Sequence, residues 1–408
     1  MRFYTNVQQW GNQILVREYK NGERLNHKVK YSPTLYVPVQ KETKFKSLDG
    51  RPVTPMKFDT IKEAKEFISQ YQNQSHLVHG LDRYAYTYVS DAYPNEVDWD
   101  MEKLLIATID IETQCENGFP DPTLAEEEML SITIKNHTTK NIVVWGIGEF
   151  KNEREDVTYI NCSNENELLA EFMNFWVKHY PDVITGWNTT FFDIPYLVNR
   201  ITKVLGEDRA KEMSPWGIVN ARDQQVYDVM GVANLDYLEL YRKFTYSNQE
   251  SYRLDHIAFV ELGEAKNKNP YDTFRDWYTK DYQSFVEYNI VDVELVDRLE
   301  DKMKLIELLL TMAYDAKVNY EDIFGTVKYW DIMIHNYLKK KNIVVPSKTR
   351  SENKSEKFEG AYVKDPQVGQ HKWVLSFDLN SLYPHLIMQY NLSPETLVQR
   401  DYIKGLTV

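Results

Sequence analysis

Cysteine is nearly absent from these 408 residues: there are two, Cys115 and Cys162, in no metal-binding spacing and too few for a disulfide framework. A disulfide-stapled secreted domain is thereby excluded, and a reducing, cytosolic setting is expected. Long apolar runs are missing too. The opening MRFYTNVQQWGNQ has no apolar core of signal-peptide length and no later stretch approaches a membrane span, so a soluble chain is expected. The chain has no glycine-rich phosphate loop with its Lys, no nucleophile elbow and no His-Glu-x-x-His pattern. The nine histidines are scattered.

Positive charge is also in short supply. The net charge is −13, against the usual balance of a protein that grips phosphates with Lys and Arg. The deficit is local, however. Residues 101–300 hold 19 Lys and Arg against 36 Asp and Glu, while 1–100 (14 against 12) and 301–408 (15 against 13) are each near balance. A site that collects carboxylates around divalent cations is locally acidic, although most of this excess must be solvated surface. With 42% hydrophobic residues, a chain of this length buries two or three cores, so several domains are expected.

Residues 1–103 alternate polar and apolar (QILVREY, HKVKYSPTLYVPV) around Asn21-Gly22, a hairpin dipeptide, and predict a β-rich domain. Ile61, Ala64, Phe67, Ile68 and Tyr71 recur at helical spacing. Near residue 104 the pattern becomes a buried strand, LLIATIDI, followed by strands in MLSITIK and NIVVWGI, a helix through Leu168 to Trp176 and a strand in DVITGW. Strands followed by helices indicate an α/β fold. The polar stretch from Gly217 to Gly231 suits a hairpin. Leu295, Leu299, Met303, Ile306 and Leu310 suit one continuing helix, TVKYWDIMIHNYLKKK another, and Lys348 to Lys357 a linker.

Four carboxylates carry chemistry. Asp110 and Glu112, two apart on an apolar strand, leave the same face of the sheet. Two such groups repel and lose hydration, and a divalent cation compensates both costs; otherwise the strand ends at Asp110 and both are solvated. Asp193, in ITGWNTTFFDIPY, either joins them or caps a helix; Gly186 is placed to supply an unusual backbone angle and Asn188 a polar side chain. Asp292, in EYNIVDVELV, lies on a helix with Tyr288 one turn earlier on the same face, where a hydroxyl can orient a water. Phe119 and Phe192, beside the carboxylates, either stack on bases or belong to the core.

The ordered set DIET, GWNTTFFD and YNIVD resembles the three motifs of the DEDD exonuclease superfamily in its tyrosine form. Near the C-terminus, WVLSFDLNSLYPHLIMQYNLSPETL reads as a buried strand ending at Asp378, then a turn into an apolar helix. DLNSLYPH resembles motif A of family B DNA polymerases, with His385 where Ser is usual, and FEGAYVKDP, with Gly360, resembles a template-contacting segment. Over nearly the whole chain the resemblance is to the N-terminal portion of polymerases of tailed bacteriophages.

That resemblance implies an α/β multi-domain chain: a β-rich N-terminal domain (1–103, completed by about 305–348), a ribonuclease H-like exonuclease domain (104–304) and a partial palm (349–408). It implies 3′→5′ removal of nucleotides from single-stranded or frayed DNA with two Mg²⁺ or Mn²⁺ ions held by Asp110, Glu112, Asp193 and Asp292, with Tyr288 positioning the water. Phe119, Asn188, Phe192 and Gly360 would touch DNA. Asp378 would hold a polymerase-site metal, and Ser381, Leu382 and Tyr383 would touch an incoming nucleotide. Motifs B and C do not follow within the sequence, so polymerisation by this chain alone is not expected. Either the sequence is a truncated piece of a longer polymerase, or it is one half of a split polymerase, for which the implied partner is a separate C-terminal polymerase half and, through it, a sliding clamp; the implied setting is the cytoplasm of an infected bacterial host. Competing readings are a non-catalytic nucleic-acid-binding or assembly subunit, which the complete carboxylate set argues against, and an exoribonuclease, which motif A argues against.

Overall fold

The computed structural model describes residues 1–116, 118–223, 226–264, 269–347 and 360–398. Residues 1–350 and 351–408 form two compact units. The linker expected at 348–357 lies outside the described residues.

In the first unit, β1 (Arg2–Trp10), β2 (Gln13–Lys20) and β3 (Glu23–Lys30) form an antiparallel meander. Its second turn is Asn21-Gly22, with φ of 54° and 94°, the positive pair that a tight primed hairpin requires. β4 (Thr34–Pro38), β5 (Phe45–Ser47) and β6 (Pro52–Lys57) make a second small sheet, followed by α1 (Ile61–Gln70) and α2 (Tyr84–Ala92). The α1 N-cap is Thr60, whose hydroxyl accepts from the Glu63 N–H at 3.2 Å.

The central sheet contains β7 (Ile106–Thr113), β8 (Met129–Asn136), β9 (Ile142–Gly146) and β10 (Val157–Asn161). The chain then runs through α3 (Glu165–Lys178) and β11 (Val183–Thr185) into α4 (Asp193–Leu205) and α5 (Glu207–Lys211). Next come the hairpin β12 (Val219–Asp223) and β13 (Val226–Val229), at the polar excursion, and β14 (Ala233–Asn234). The sheet order is β10-β9-β8-β7-β11-β14, with β8 antiparallel to both neighbours and the other pairs parallel. β10 was not anticipated; VTYIN is a short edge strand with mixed polarity.

Alternation along β7 decides what each face of this sheet does. Ile109 and Ile111 pack with Leu168, Phe172, Ile194 and Leu197 of α3 and α4. Thr108, Asp110 and Glu112 therefore face the other side. That side is covered by α9 (Tyr282–Met303), which packs on β7 and β8 after α6 (Tyr237–Phe244), α7 (Leu254–Leu262) and α8 (Phe274–Lys280). The result is a mixed sheet flanked by helices, as the exonuclease resemblance implies.

The helix expected to continue from Leu295 through Leu310 is instead two. Lys304 adopts a left-handed conformation (φ 56°), ending α9 and starting α10 (Leu305–Ala316). The buried Glu300 carboxylate accepts from the N–H groups of Ile306 (3.0 Å) and Glu307 (3.3 Å), so it caps the new helix from the end of the old one. α10 returns to the first sheet: Leu309, Leu310 and Ala313 share a core with Phe3, Val7 and Ile14. Asn319 binds the Val7 backbone in both directions, at 2.9 and 2.8 Å. α11 (Thr326–Lys340) leads to β15 (Ile343–Val344), which pairs with β5.

The second unit contains α12 (Leu382–Tyr390). Here the expectation of a buried strand at Trp373–Asp378 fails. No strand forms there, and Trp373, Leu375 and Phe377 are exposed. A strand needs a partner to take its alternate N–H and C=O groups, and among the described residues of this unit no strand pairs with it.

Candidate active site

Three of the predicted carboxylates converge. Ligand oxygens of Asp110, Glu112 and Asp292 all lie within 4.8 Å of one another. β7 contributes the first two through its period-2 alternation, and α9 lays Asp292, itself buried, across the same face. An all-oxygen, triply anionic donor set suits a hard divalent cation, so the side chains present fit Mg²⁺ or Mn²⁺.

Tyr288 lies one turn before Asp292 and its ring stands edge-on to Trp277 at 4.8 Å. Burial, reinforced by the Asp292, Glu112 and Asp110 charges, holds its phenol far above the usual tyrosine range. It is thus a neutral hydroxyl able to donate to or accept from a water, and not a base.

Asp193 lies outside the group of three. It is the first residue of α4 but does not cap it; the N-cap position is Phe192, with no side-chain bond. Its Oδ1 instead accepts from the Ile111 N–H at 3.2 Å, between the two β7 carboxylates. Burial, then the Asp236 charge, pushes its carboxyl up to about 8.

The turn before Asp193 differs from expectation. The left-handed residue is Asn188 (φ 69°), not Gly186. Gly186 is required for closeness: a Cβ there would collide with the Ile109 carbonyl oxygen of β7 and with Thr189. Asp236, fully buried, holds the turn by accepting from the N–H groups of Asn188 and Thr190, both at 3.0 Å, while capping α6 through the Leu238 N–H.

Asp110, Tyr288, Asp292, Asn188 and Phe119 line one open cavity of about 1020 Å³. Phe119 is 82% exposed and its ring meets Phe192 at 5.0 Å, whereas Phe192 is half-buried against the core. Sequence reasoning missed other residues that line this cavity, among them Arg242, Tyr252, Arg253 and His256. The Arg242 guanidinium lies over the Tyr252 ring at 4.5 Å. The arginines gave no signal as isolated charges. Asn289 and Asp236 could have been found, since an Asn inside an apolar helix face and an Asp just before one each need a specific partner.

In the second unit Gly360, Asp378 and Tyr383 are exposed, Ser381 is the left-handed residue (φ 52°) before α12, and Leu382 and Tyr383 open that helix.

A mixed sheet with paired carboxylates on a central strand, met by a third from a crossing helix, is the architecture of a ribonuclease H-like exonuclease domain. Residues 49–257 match the family model for the exonuclease domain of DNA polymerase family B, and residues 327–405 match that for DNA polymerase family B. The chain belongs to the family B DNA polymerases. It is 34% identical to the DNA-directed DNA polymerase of Escherichia phage RB69 and 32% identical to that of Enterobacteria phage T4, in each case over 97% of this chain and 47% of the relative. It is 29% identical to the DNA polymerase delta catalytic subunit of Candida albicans over 78% of the chain and 33% of that relative. The chain spans about half the length of the curated phage relatives it matches.

Proposed function

We propose that this chain is a proofreading 3′→5′ DNA exonuclease, the N-terminal part of a replicative DNA polymerase that acts in the cytoplasm of an infected bacterial host. The observation that carries the reading is the meeting of Asp110, Glu112 and Asp292 beside an open cavity that Asp110 and Asp292 line. The reading assigns residues 1–103 with about 305–348 to an N-terminal domain, 104–304 to the exonuclease and 349–408 to part of a palm.

Asp110, Glu112 and Asp292 would hold the divalent ions, Mg²⁺ or Mn²⁺, with Asp193 assisting from its place beside Ile111. When bound, two such ions make water a better nucleophile and stabilise the leaving 3′-oxygen. The neutral Tyr288 hydroxyl orients the attacking water. Asn188 and the exposed ring of Phe119 meet the terminal nucleotides, with Phe192 backing that ring. Arg242 and Arg253, which line the same cavity, offer positive charge to the phosphates. Because the hydrolysed end must reach the clustered carboxylates, the substrate is a single-stranded or frayed 3′ end. Asp378, Ser381, Leu382 and Tyr383 would serve the polymerase site only with a C-terminal polymerase portion supplying the rest of the palm, fingers and thumb, and through it a sliding clamp.

The test is digestion of a 5′-labelled single-stranded DNA by the 408-residue chain with Mg²⁺ or Mn²⁺, beside a double Asp110→Ala, Glu112→Ala variant. A stepwise ladder from the 3′ end, abolished by chelation and in the variant, is expected. A folded wild-type chain that degrades nothing, even with a polymerase portion added, would replace this reading with that of an assembly subunit.

A further inference from the structure

We propose that Asn289 is a positioning residue that sets the plane of the Asp110 carboxylate through a relay anchored on β8. This rests on the exonuclease reading and deepens it. Asp110 and Glu112 stand directly opposite Thr133 and Ser131 in the β7–β8 register, and residues paired across an antiparallel ladder share a face. The two carboxylates and the two hydroxyls therefore project together toward α9. Asn289 lies between them, fully buried, three residues before Asp292 on the same side of the helix. Its amide nitrogen donates to Asp110 Oδ2 at 2.6 Å. Its amide oxygen accepts from the Ser131 hydroxyl at 2.9 Å and from the Thr133 hydroxyl.

The orientation of the amide is dictated by its surroundings. Flipped, it would set its oxygen against a carboxylate, an unfavourable contact for a side chain that is fully buried. The two hydroxyls, both on fully buried residues, hold the oxygen on the β8 side and so keep the NH₂ aimed at Asp110. The choice of residue also follows. A Lys or Arg at this point would bring positive charge against the cations, and an acid would add to the repulsion among three carboxylates. A neutral donor pins Asp110 without changing the charge that holds the ions. Partners of this kind, one bond behind a ligand, alter metal affinity by about 10–100-fold when removed.

The experiment follows Mn²⁺ binding to the 408-residue chain by electron paramagnetic resonance titration, alongside kcat and KM on a 5′-labelled single-stranded oligonucleotide. Asn289→Leu, checked for folding by circular dichroism, is expected to weaken Mn²⁺ binding by about tenfold or more and to lower kcat by a similar factor with little change in KM. Thr133→Val, which keeps the shape and loses the hydroxyl, is expected to weaken Mn²⁺ binding by a smaller factor, and Thr133→Ser to lose less than Thr133→Val. Wild-type Mn²⁺ affinity in folded Asn289→Leu would overturn the proposal. Should Asn289→Leu not fold, equal behaviour of Thr133→Val and Thr133→Ser would overturn it. A wild-type chain that binds Mn²⁺ through Asp110 and cuts DNA, yet ignores all three changes, sinks this proposal alone; a wild-type chain that does neither sinks the exonuclease reading with it.

Discussion

At Gly186 the chain passes so close to β7 that any side chain would strike the Ile109 carbonyl. Gly186→Ala must therefore push the turn, and with it Asn188 and Asp193, away from the strand carrying Asp110. Overpacking of this kind costs about 1–3 kcal/mol, and urea denaturation should show that loss together with a fall in exonuclease rate. A second residue makes a pH-dependent contribution. Asp297 is buried, which by itself raises its pKa, yet hydrogen bonds from His137 (3.0 Å) and Lys140 (2.9 Å) and the Lys135 ammonium (3.1 Å) outweigh burial and hold it at about 2. Its folded value lies below the unfolded one, about 3.9. Its stabilisation is therefore complete above that value and is lost as pH falls from about 4 toward 2. Asp297→Asn should flatten the stability profile over this window. At neutral pH it should cost about 3 kcal/mol, because Lys135 is left buried without its charge partner.

The junction of α9 and α10 turns on one residue in a conformation that Lys adopts at a cost of about 1 kcal/mol. Lys304→Gly should raise the denaturation midpoint modestly. Glu300→Ala, which strips the cap from Ile306 and Glu307 and the partner from the Tyr237 hydroxyl at 3.1 Å, should lower stability by about 1–3 kcal/mol. This junction was illegible in the sequence because Leu295, Leu299, Met303, Ile306 and Leu310 keep a helical period straight through it. β7, β8 and the helix beginning at Glu165 were legible because a buried face imposes its own repeat on the chain. Asp110, Glu112 and Asp292 could be singled out for the opposite reason, being charges where that repeat calls for apolar residues. The Gly186–Asn188 turn was read with its unusual backbone angle at Gly186 when it falls at Asn188, since sequence alone does not say whether a glycine answers to an angle or to a neighbour. Trp373 to Asp378 has the composition of a buried strand, but strand pairing is not a property of one segment.

On the scale of the whole molecule, the first unit owes its cohesion to a chain that leaves the N-terminal sheets, builds the central sheet and comes back. Tyr4 donates to the Val318 carbonyl at 2.8 Å, and Arg17, on β2, pairs with Asp182 just before β11 at 3.4 Å. Ala313 and Leu299 share one core with Phe3 and Val183. Among the described residues, those that form this core all lie at or before Val345. The second unit contrasts with it: Trp373, Leu375, Phe377, Tyr383 and Met388 are all more than two-thirds exposed, a density of apolar surface that marks an association face or an aggregation hazard. A chain ending at Arg350 should therefore still unfold in one cooperative transition and still degrade single-stranded DNA from the 3′ end, while binding less of a hydrophobic-surface dye and staying dispersed at higher concentration than the 408-residue chain. Calorimetry, the labelled-oligonucleotide ladder and light scattering would read these separately. Loss of the cooperative transition on truncation would mean that the folding of the first unit depends on residues 351–408, and that the core described by Phe3, Leu299 and Ala313 is not sufficient on its own.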